Sequence, residues 1–293
     1  MKSCGRATPK VAVFQDLSGL GRCALSVALP VLSVMGAQAC AIPTMALSVH
    51  TGGFGAVCKQ ELSGFMEGAL RHWGELRIRF DAVYMGYMAS DGQLALCDGF
   101  LDSQSAPGDH HAFVLFDPAM ADCGRLYSGI QTSRVNAARA MCARADLIAP
   151  NLTEALLLLD LEPGERPIGQ GELAKLLRDL IGLGCGASVI TGVELMGGEH
   201  VNAYLAAGAE EPLLIPYEQV PERYSGTGDL FASALLGALL RGESAESGIR
   251  RAASFCQRAA LRSYQAGAPV REGVQFEALL GELLPRNGDT ERR

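Results

Sequence analysis

The sequence predicts an α/β protein of one domain: a central, mostly parallel β-sheet flanked by helices on both faces. Short, continuous apolar runs recur along the chain, the composition expected of strands buried on both sides. Segments of helical spacing separate many of them, as the crossovers between parallel strands require. No long linker, internal repeat or abrupt shift in composition divides the 293 residues. One domain over residues 1–285 is therefore expected, with Arg286 to Arg293 (RNGDTERR) read as a disordered tail.

Val11 to Phe14 is the first strand, and the turn after it opens a helix over 21–34. The stretch from Cys23 to Val49 carries no charge and exceeds the roughly 20 residues that span a bilayer. Pro30, Gly36, Gln38 and Pro43 divide it into that helix and a strand at 38–42, which excludes the membrane reading. Further strands are expected at 82–85, 113–116, 146–149, 187–190, 201–205 and 213–216. Helical spacing fills 59–72, 92–103, 128–145, 152–159 and 171–182. Beyond Pro216 the pattern changes to three successive helices, 228–241, 245–264 and 273–284.

A formal charge of −7, with no basic run beyond Arg250-Arg251, leaves no footprint for a nucleic-acid backbone and makes a small molecule the default partner. Nine cysteines are spread without a C-x-x-C pair, against both a zinc site and a disulfide framework. The N-terminus lacks the apolar core of about 7–15 residues that export requires, so a reducing cytoplasm is expected.

The turn after the first strand, FQDLSGLGRCAL, fits a dinucleotide fingerprint at Gly19, Gly21 and Ala24. That chemistry needs an acidic residue about twenty positions on to bind the ribose. No Asp or Glu occurs between Asp16 and Glu61, so the glycines are read as a tight turn rather than an NAD site.

A stronger signal is Ser225-Gly226-Thr227-Gly228-Asp229, followed at once by the apolar helix LFASALLGALL. Gly226, Thr227 and Gly228 at a helix N-terminus can aim successive N–H groups at an anion. Asp229 beside them can take the proton from a hydroxyl nucleophile while the amides stabilise a transferred phosphoryl group. The alternative is an acid that merely complements the helix dipole.

Two acidic constellations close predicted strands: Asp117-Pro118, and Asn151-Leu152-Thr153-Glu154. Ligands of open α/β sheets bind beyond the carboxyl ends of strands, and carboxylates there suit Mg²⁺ on nucleotide phosphates. Asn151 and Glu154 also have the spacing of a capping box. Thr191 ends a strand and can donate to a phosphate oxygen, and His50-Thr51-Gly52-Gly53-Phe54-Gly55 forms a glycine-rich loop suited to touch or cover a substrate. Neither a Walker sequence nor the protein-kinase signatures occur.

Together these pieces resemble the ribokinase-type superfamily and, within it, the pyridoxal (vitamin B6) kinases, over about Lys10 to Pro285. The resemblance rests on Gly226-Thr227-Gly228-Asp229, on Asp117-Pro118-Ala119-Met120 with Tyr127 following, and on Ala149 to Glu154. Ser48-Val49-His50-Thr51-Gly52 and Gly86-Tyr87 complete it, in the family's order. It implies ATP bound near the last helices and a B6 vitamer nearer the N-terminal half. Asp229 would be the base toward the 5′-hydroxyl, with Gly226, Thr227 and Gly228 as the anion hole. Asp117 and Glu154 would serve Mg²⁺; Asn151, Thr191, Thr227 and Gly228 would meet ATP; Gln15, Asp16, Ser18, His50, Thr51 and Tyr87 would line the substrate. A homodimer and assistance by a monovalent cation such as K⁺ are also implied. Asp16 stands where many pyridoxal kinases carry serine, and Leu47 where a pocket aromatic is common. Asp16-Leu17-Ser18-Gly19 is similar instead to hydroxymethylpyrimidine kinases, which typically carry cysteine in place of Asp229. A hydroxymethylpyrimidine or other small-alcohol kinase is the alternative. An NAD-dependent oxidoreductase and a catalytically silent B6-binding protein are the rivals from other classes.

Overall fold

The computed structural model describes residues 7–104, 111–164 and 166–284; the tail expected at 286–293 lies outside them. In chain order the elements are β1 (Lys10–Ser18), α1 (Leu25–Val34), β2 (Gln38–Leu47), β3 (Lys59–Glu61), α2 (Ser63–Glu75), β4 (Ala82–Met85) and α3 (Asp91–Gln104). Next come β5 (Phe113–Phe116), β6 (Ala121–Asp122), β7 (Arg125–Leu126), α4 (Thr132–Cys142), β8 (Leu147–Ile148), α5 (Leu152–Leu158) and α6 (Gln170–Ile181). The chain continues with β9 (Ala187–Glu194), β10 (His200–Ala206), β11 (Leu213–Tyr217), α7 (Thr227–Leu240) and α8 (Ala245–Gln265). Two 3₁₀ segments, Val270–Glu272 and Glu277–Leu283, follow.

Nine strands form one sheet in the order β11-β10-β9-β8-β5-β4-β1-β2-β3. Pairing is parallel from β2 through β1, β4, β5 and β8 to β9, and antiparallel where β10, β11 and β3 extend the two edges. Because strand side chains alternate, β1 feeds two cores. Val11 and Val13 face the layer of α1, α7 and α8, while Ala12 and Phe14 face the layer of α2 to α6. Strand order reverses beside β1, whose neighbours are β2 on one side and β4 on the other. The carboxyl ends of β1 and β4 therefore open the crevice in which doubly wound sheets bind ligands.

Several expectations are corrected. Residues 59–61 are not the first turn of a helix but β3, antiparallel to β2 at Met45 to Leu47. Its Lys59, Gln60 and Glu61 are all exposed, so pairing with an open edge overrides their helical propensity, and their polarity guards that edge. Strand β2 runs through Pro43, at a position where β3 does not yet pair and a missing N–H is tolerated. Helix α1 starts at Leu25 rather than 21, because Gly21 and Ala24 take positive φ of 107° and 50° in the turn before it. The helix expected at 128–145 is confined to Thr132–Cys142, and the one expected at 273–284 is a 3₁₀ segment. There Gly273 has φ 80°, and Val274, Phe276 and Leu283 are held in the core by packing rather than by an α-helical period. The two-residue hairpin of β6 and β7 had no sequence signal.

No helix among the described residues is long and apolar enough to cross a membrane. The uncharged stretch is α1 and β2, separated at Gly36; Pro30 and Pro43, expected to divide it, lie inside α1 and β2.

Candidate active site

The N-terminus of α7 forms the floor of the site. Gly226, its N-cap, has φ 82°, and a Cβ there would stand 1.9 Å from the Arg22 carbonyl oxygen. Only glycine lets the β1–α1 turn lie this close. No side chain caps α7, so N–H groups of its first turn have no intrahelical partner and remain available to an anion. The Thr227 hydroxyl donates to the Tyr224 carbonyl at 3.3 Å, shaping the turn.

The turn packed on Gly226 holds the candidate base. The N–H of Ala24 donates to Asp229 Oδ2 at 2.8 Å, joining residues 205 apart in sequence. Burial pushes the Asp229 carboxyl up to about 7, opposed by the Ala24 N–H; the charge of Asp16 raises it further and the Gln15 amide lowers it. A carboxyl poised there can serve as a general base at neutral pH.

Asp16, at the end of β1, is itself pushed up to about 6 by burial, against a hydrogen bond from Ser18 Oγ at 3.2 Å. The Cys23 thiol is raised by burial and then by both Asp16 and Asp229, so the three acids are neighbours. Tyr87, just beyond β4, is raised by burial and by the same Asp16 charge. Four of the residues proposed from the sequence, Gln15, Asp16, Ser18 and Tyr87, thus gather at the switch point.

The carboxyl ends of β5, β8 and β9 supply the other wall. Asp117 is raised well above its ordinary value by burial first, then by the charges of Glu154 and Asp229. Glu154 is pushed up to about 7 by burial, although backbone N–H groups bind both its oxygens. Its Oε1 accepts from Met120 at 2.9 Å and Ala121 at 3.2 Å, and its Oε2 from Asn151 at 3.0 Å. Asn151 Oδ1 accepts in turn from the Glu154 N–H at 2.9 Å, completing a capping box on α5, and Asn151 Nδ2 donates to the Ala121 carbonyl at 2.8 Å. Thr191, expected to end its strand, lies within β9, which runs on to Glu194, and bridges there to Asn151 just after β8. Asp117, Glu154, Asn151 and Thr191 are therefore together.

Asp117 feels the charges of both Glu154 and Asp229, and a cation there would relieve it. Among the described residues no three acidic, histidine or cysteine side chains are grouped closely enough to hold a metal directly. With Glu154 already satisfied by the backbone, Mg²⁺ would fit through its waters, the usual way magnesium is held. Glu154→Gln would set an amide NH₂ against one of these N–H donors. Thermal unfolding should show a loss of about 1–3 kcal/mol, since a buried donor is left without an acceptor.

His50 belongs to a different part of the wall. Its backbone N–H donates to the Leu20 carbonyl at 3.1 Å, and its Nδ1 accepts from Gly52 at 3.1 Å. Nε2 therefore carries the proton and donates to the Arg271 carbonyl. The ring also meets Phe54 edge to face, with Arg271 over Phe54 at 5.3 Å. Both His50 nitrogens are engaged within the protein, while Thr51 beside it is exposed. The loop borders the glycine motif, for a Cβ on Gly52 would lie 3.9 Å from Ser225 Oγ.

Sequence reasoning passed over Cys23 and Ala24, although both lie in FQDLSGLGRCAL, and over the buried Arg134. The Arg134 guanidinium binds Asp91 Oδ1 at 2.8 Å and the carbonyls of Met88 and Ala89, bracing the loop after Tyr87. An arginine within a helical pattern gives no sign of that task.

The family model described as phosphomethylpyrimidine kinase matches residues 72–273, from the end of α2 through the glycine motif. The chain belongs to this family. A candidate phosphomethylpyrimidine kinase from Bacteroides thetaiotaomicron is similar at 31% identity, with 97% of each chain covered and a TM-score of 0.89. A second crystal form of it, described as containing pyridoxal, gives 32% identity, 94% and 96% coverage and a TM-score of 0.88. The pyridoxal kinase of Lactobacillus plantarum gives 30% identity, covering 94% of this chain and 97% of that one, at a TM-score of 0.85. Among curated proteins, a candidate pyridoxal kinase of Saccharomyces cerevisiae, BUD17, is 27% identical over 172 residues, 57% of this chain. The match spans about half of that relative, 53% of its length. Both kinds of kinase thus share this family's fold, a single α/β domain of the ribokinase type.

Proposed function

We propose that this chain is a kinase that uses ATP to phosphorylate the 5′-hydroxyl of pyridoxal, pyridoxamine or pyridoxine. The observation that carries the reading is Asp229: an acid with its carboxyl near 7, gripped by Ala24 and set at the first turn of an uncapped helix. Family membership supports a phosphotransferase acting on an alcohol, and relatives described as pyridoxal kinases or as holding pyridoxal support the ring.

Asp229 accepts the alcohol proton as the oxygen attacks. The N–H groups of Thr227 and Gly228 meet the charge that develops on the transferred phosphoryl group. Mg²⁺ served by Asp117 and Glu154 would neutralise phosphate charge. Asn151 and Thr191 are assigned to ATP, and Gln15, Asp16, Ser18, His50, Thr51 and Tyr87 to the vitamer. His50 acts there through the shape of its loop, since its nitrogens are engaged. Asp16 faces the substrate's ring nitrogen and favours its protonated form. A homodimer, activation by K⁺, a cytoplasmic setting and a kinase domain bounded at residue 285 belong to the same reading.

The description of the matching family favours a second reading, phosphorylation of hydroxymethylpyrimidine. Initial rates of ADP release with pyridoxal, pyridoxamine, pyridoxine and hydroxymethylpyrimidine under identical Mg-ATP separate the two. A B6 vitamer should have the highest kcat/KM; a pyrimidine preference would reverse the assignment. Asp16→Asn should raise KM for the vitamer about tenfold with kcat nearly kept, as loss of one charge-assisted hydrogen bond implies.

A further inference from the structure

A polar cluster inside the α1/α7 layer joins Gln15, assigned above only to the vitamer, with Tyr84 and Ser233, which have no place in the chemistry above. Ser233 lies one helical turn beyond Asp229 on the same face of α7, since residues four apart stack along a helix. On the sheet, Tyr84 of β4 is paired with Val13 of β1, and Gln15, two residues after Val13, returns to the same side. Gln15, Tyr84 and Ser233 are all wholly buried. The Tyr84 hydroxyl interacts with both Gln15 and Ser233 and feels the charges of Asp117 and Asp229, and Gln15 in turn lowers Asp229. Yet the Gln15 amide nitrogen and oxygen, the Tyr84 hydroxyl and the Ser233 hydroxyl close no direct hydrogen bond of normal geometry.

Buried polar atoms are rarely left without a partner, and each costs about 1–3 kcal/mol when it is. Here several such atoms come from three elements close to one carboxylate, which Gln15 reaches and whose charge Tyr84 feels. Their capacity matches the two to four hydrogen bonds that an internal water typically makes. Gly86 makes room for this side chain, since a Cβ there would come within 2.6 Å of the Gln15 amide. An apolar residue in place of Gln15 would pack the layer equally well, so packing alone does not account for it.

We propose that Gln15 and Tyr84 are positioning residues for Asp229, forming with Ser233 a water-bridged seat that fixes the carboxylate from the sheet side while the Ala24 N–H holds Oδ2. The inference rests on Asp229 as the base. The other ionisable groups facing that carboxylate are Asp16 and Cys23 from the β1–α1 segment, Asp117 from the end of β5, and Tyr127.

The test is a double-mutant cycle with the intact chain and the best vitamer from the substrate panel. Tyr84→Phe removes one hydroxyl and keeps the ring. It should lower kcat about tenfold while KM changes less than about twofold, the pattern of a misplaced catalytic group. In an Asp229→Asn background the same substitution should change the residual rate less than about twofold, because the group it positions is gone. Gln15→Met, of similar length, should lower kcat to the same extent and lose that effect in the Asp229→Asn background. Equal losses in both backgrounds, or an unchanged kcat for Tyr84→Phe beside wild-type Asp229, would overturn the inference. Near-normal turnover of Asp229→Asn alone would overturn the base assignment instead. A high-resolution crystal structure should show ordered water joining Gln15, Tyr84 and Ser233; direct contact among them without water would refute the bridged seat.

Discussion

Asp229→Asn should lower kcat by about three orders of magnitude, the scale on which a general base contributes, and should at the same time raise the melting temperature at pH 8. The second effect follows from the sign of the shift. The folded protein holds the Asp229 proton up to about 7, whereas an ordinary carboxyl releases it near 3.8. As pH rises through that window the native state binds more protons than the unfolded chain, so stability falls, and the loss is complete above 7. Asparagine carries no such penalty and can still accept from Ala24. Calorimetry at pH 8 should show a gain of roughly 3–8 °C, of the size expected for relief of a few kcal/mol. Near pH 4 the two proteins should melt together. Wild-type kcat should rise with pH through about 7, as the base ionises. A variant that lost activity and stability together would mean that Asp229 holds the fold rather than serving the reaction.

Gly226→Ala should be nearly as damaging for a different reason. Alanine at φ 82° is strained, and its methyl group would stand 1.9 Å from the Arg22 carbonyl, so the β1–α1 turn must move away from α7. That turn carries Ala24, and its displacement releases Asp229 while disordering the N–H groups of the anion hole. We expect kcat/KM for ATP to fall by about a hundredfold or more, with a loss of about 2–4 kcal/mol in thermal or urea unfolding. Gly228→Ala is the contrast. A Cβ there meets nothing within 4 Å, so stability should hold, and any rise in KM for ATP reports crowding of the phosphate itself.

The legible parts of this molecule are those whose cause is local. Continuous apolar runs located the parallel strands because burial on both faces demands them, and Gly36, at φ 87°, marked the break between α1 and β2, whereas Pro30 and Pro43 lie inside those elements. The glycine motif and the acids at strand ends were visible because strand-end chemistry is tied to the polarity of the sheet. What stayed hidden depends on partners far along the chain. Lys59 to Glu61 read as helix because nothing nearby announces the open edge of β2. The hydrogen bond of His50 to the Arg271 carbonyl gave no sign because it joins segments 221 residues apart. Glu154 offered two readings, and the structure adds the full capping box to its place beside Asp117.

The contact between Ala24 and Asp229 also dictates when the site can exist. The first strand and turn are made early in synthesis, yet the carboxylate they hold lies 205 residues later, and Arg22 reaches Glu277, 255 residues on. Between those events β1 must find β4 on one side and β2 on the other, and α7 must dock last against α1. Contacts of such separation form late, after the loop-closure entropy has been overcome. A ribosome carrying this chain through β11 therefore holds a nearly complete sheet with no active centre. Its α1 face stays uncovered until α7 docks, so the base and the anion hole arrive together.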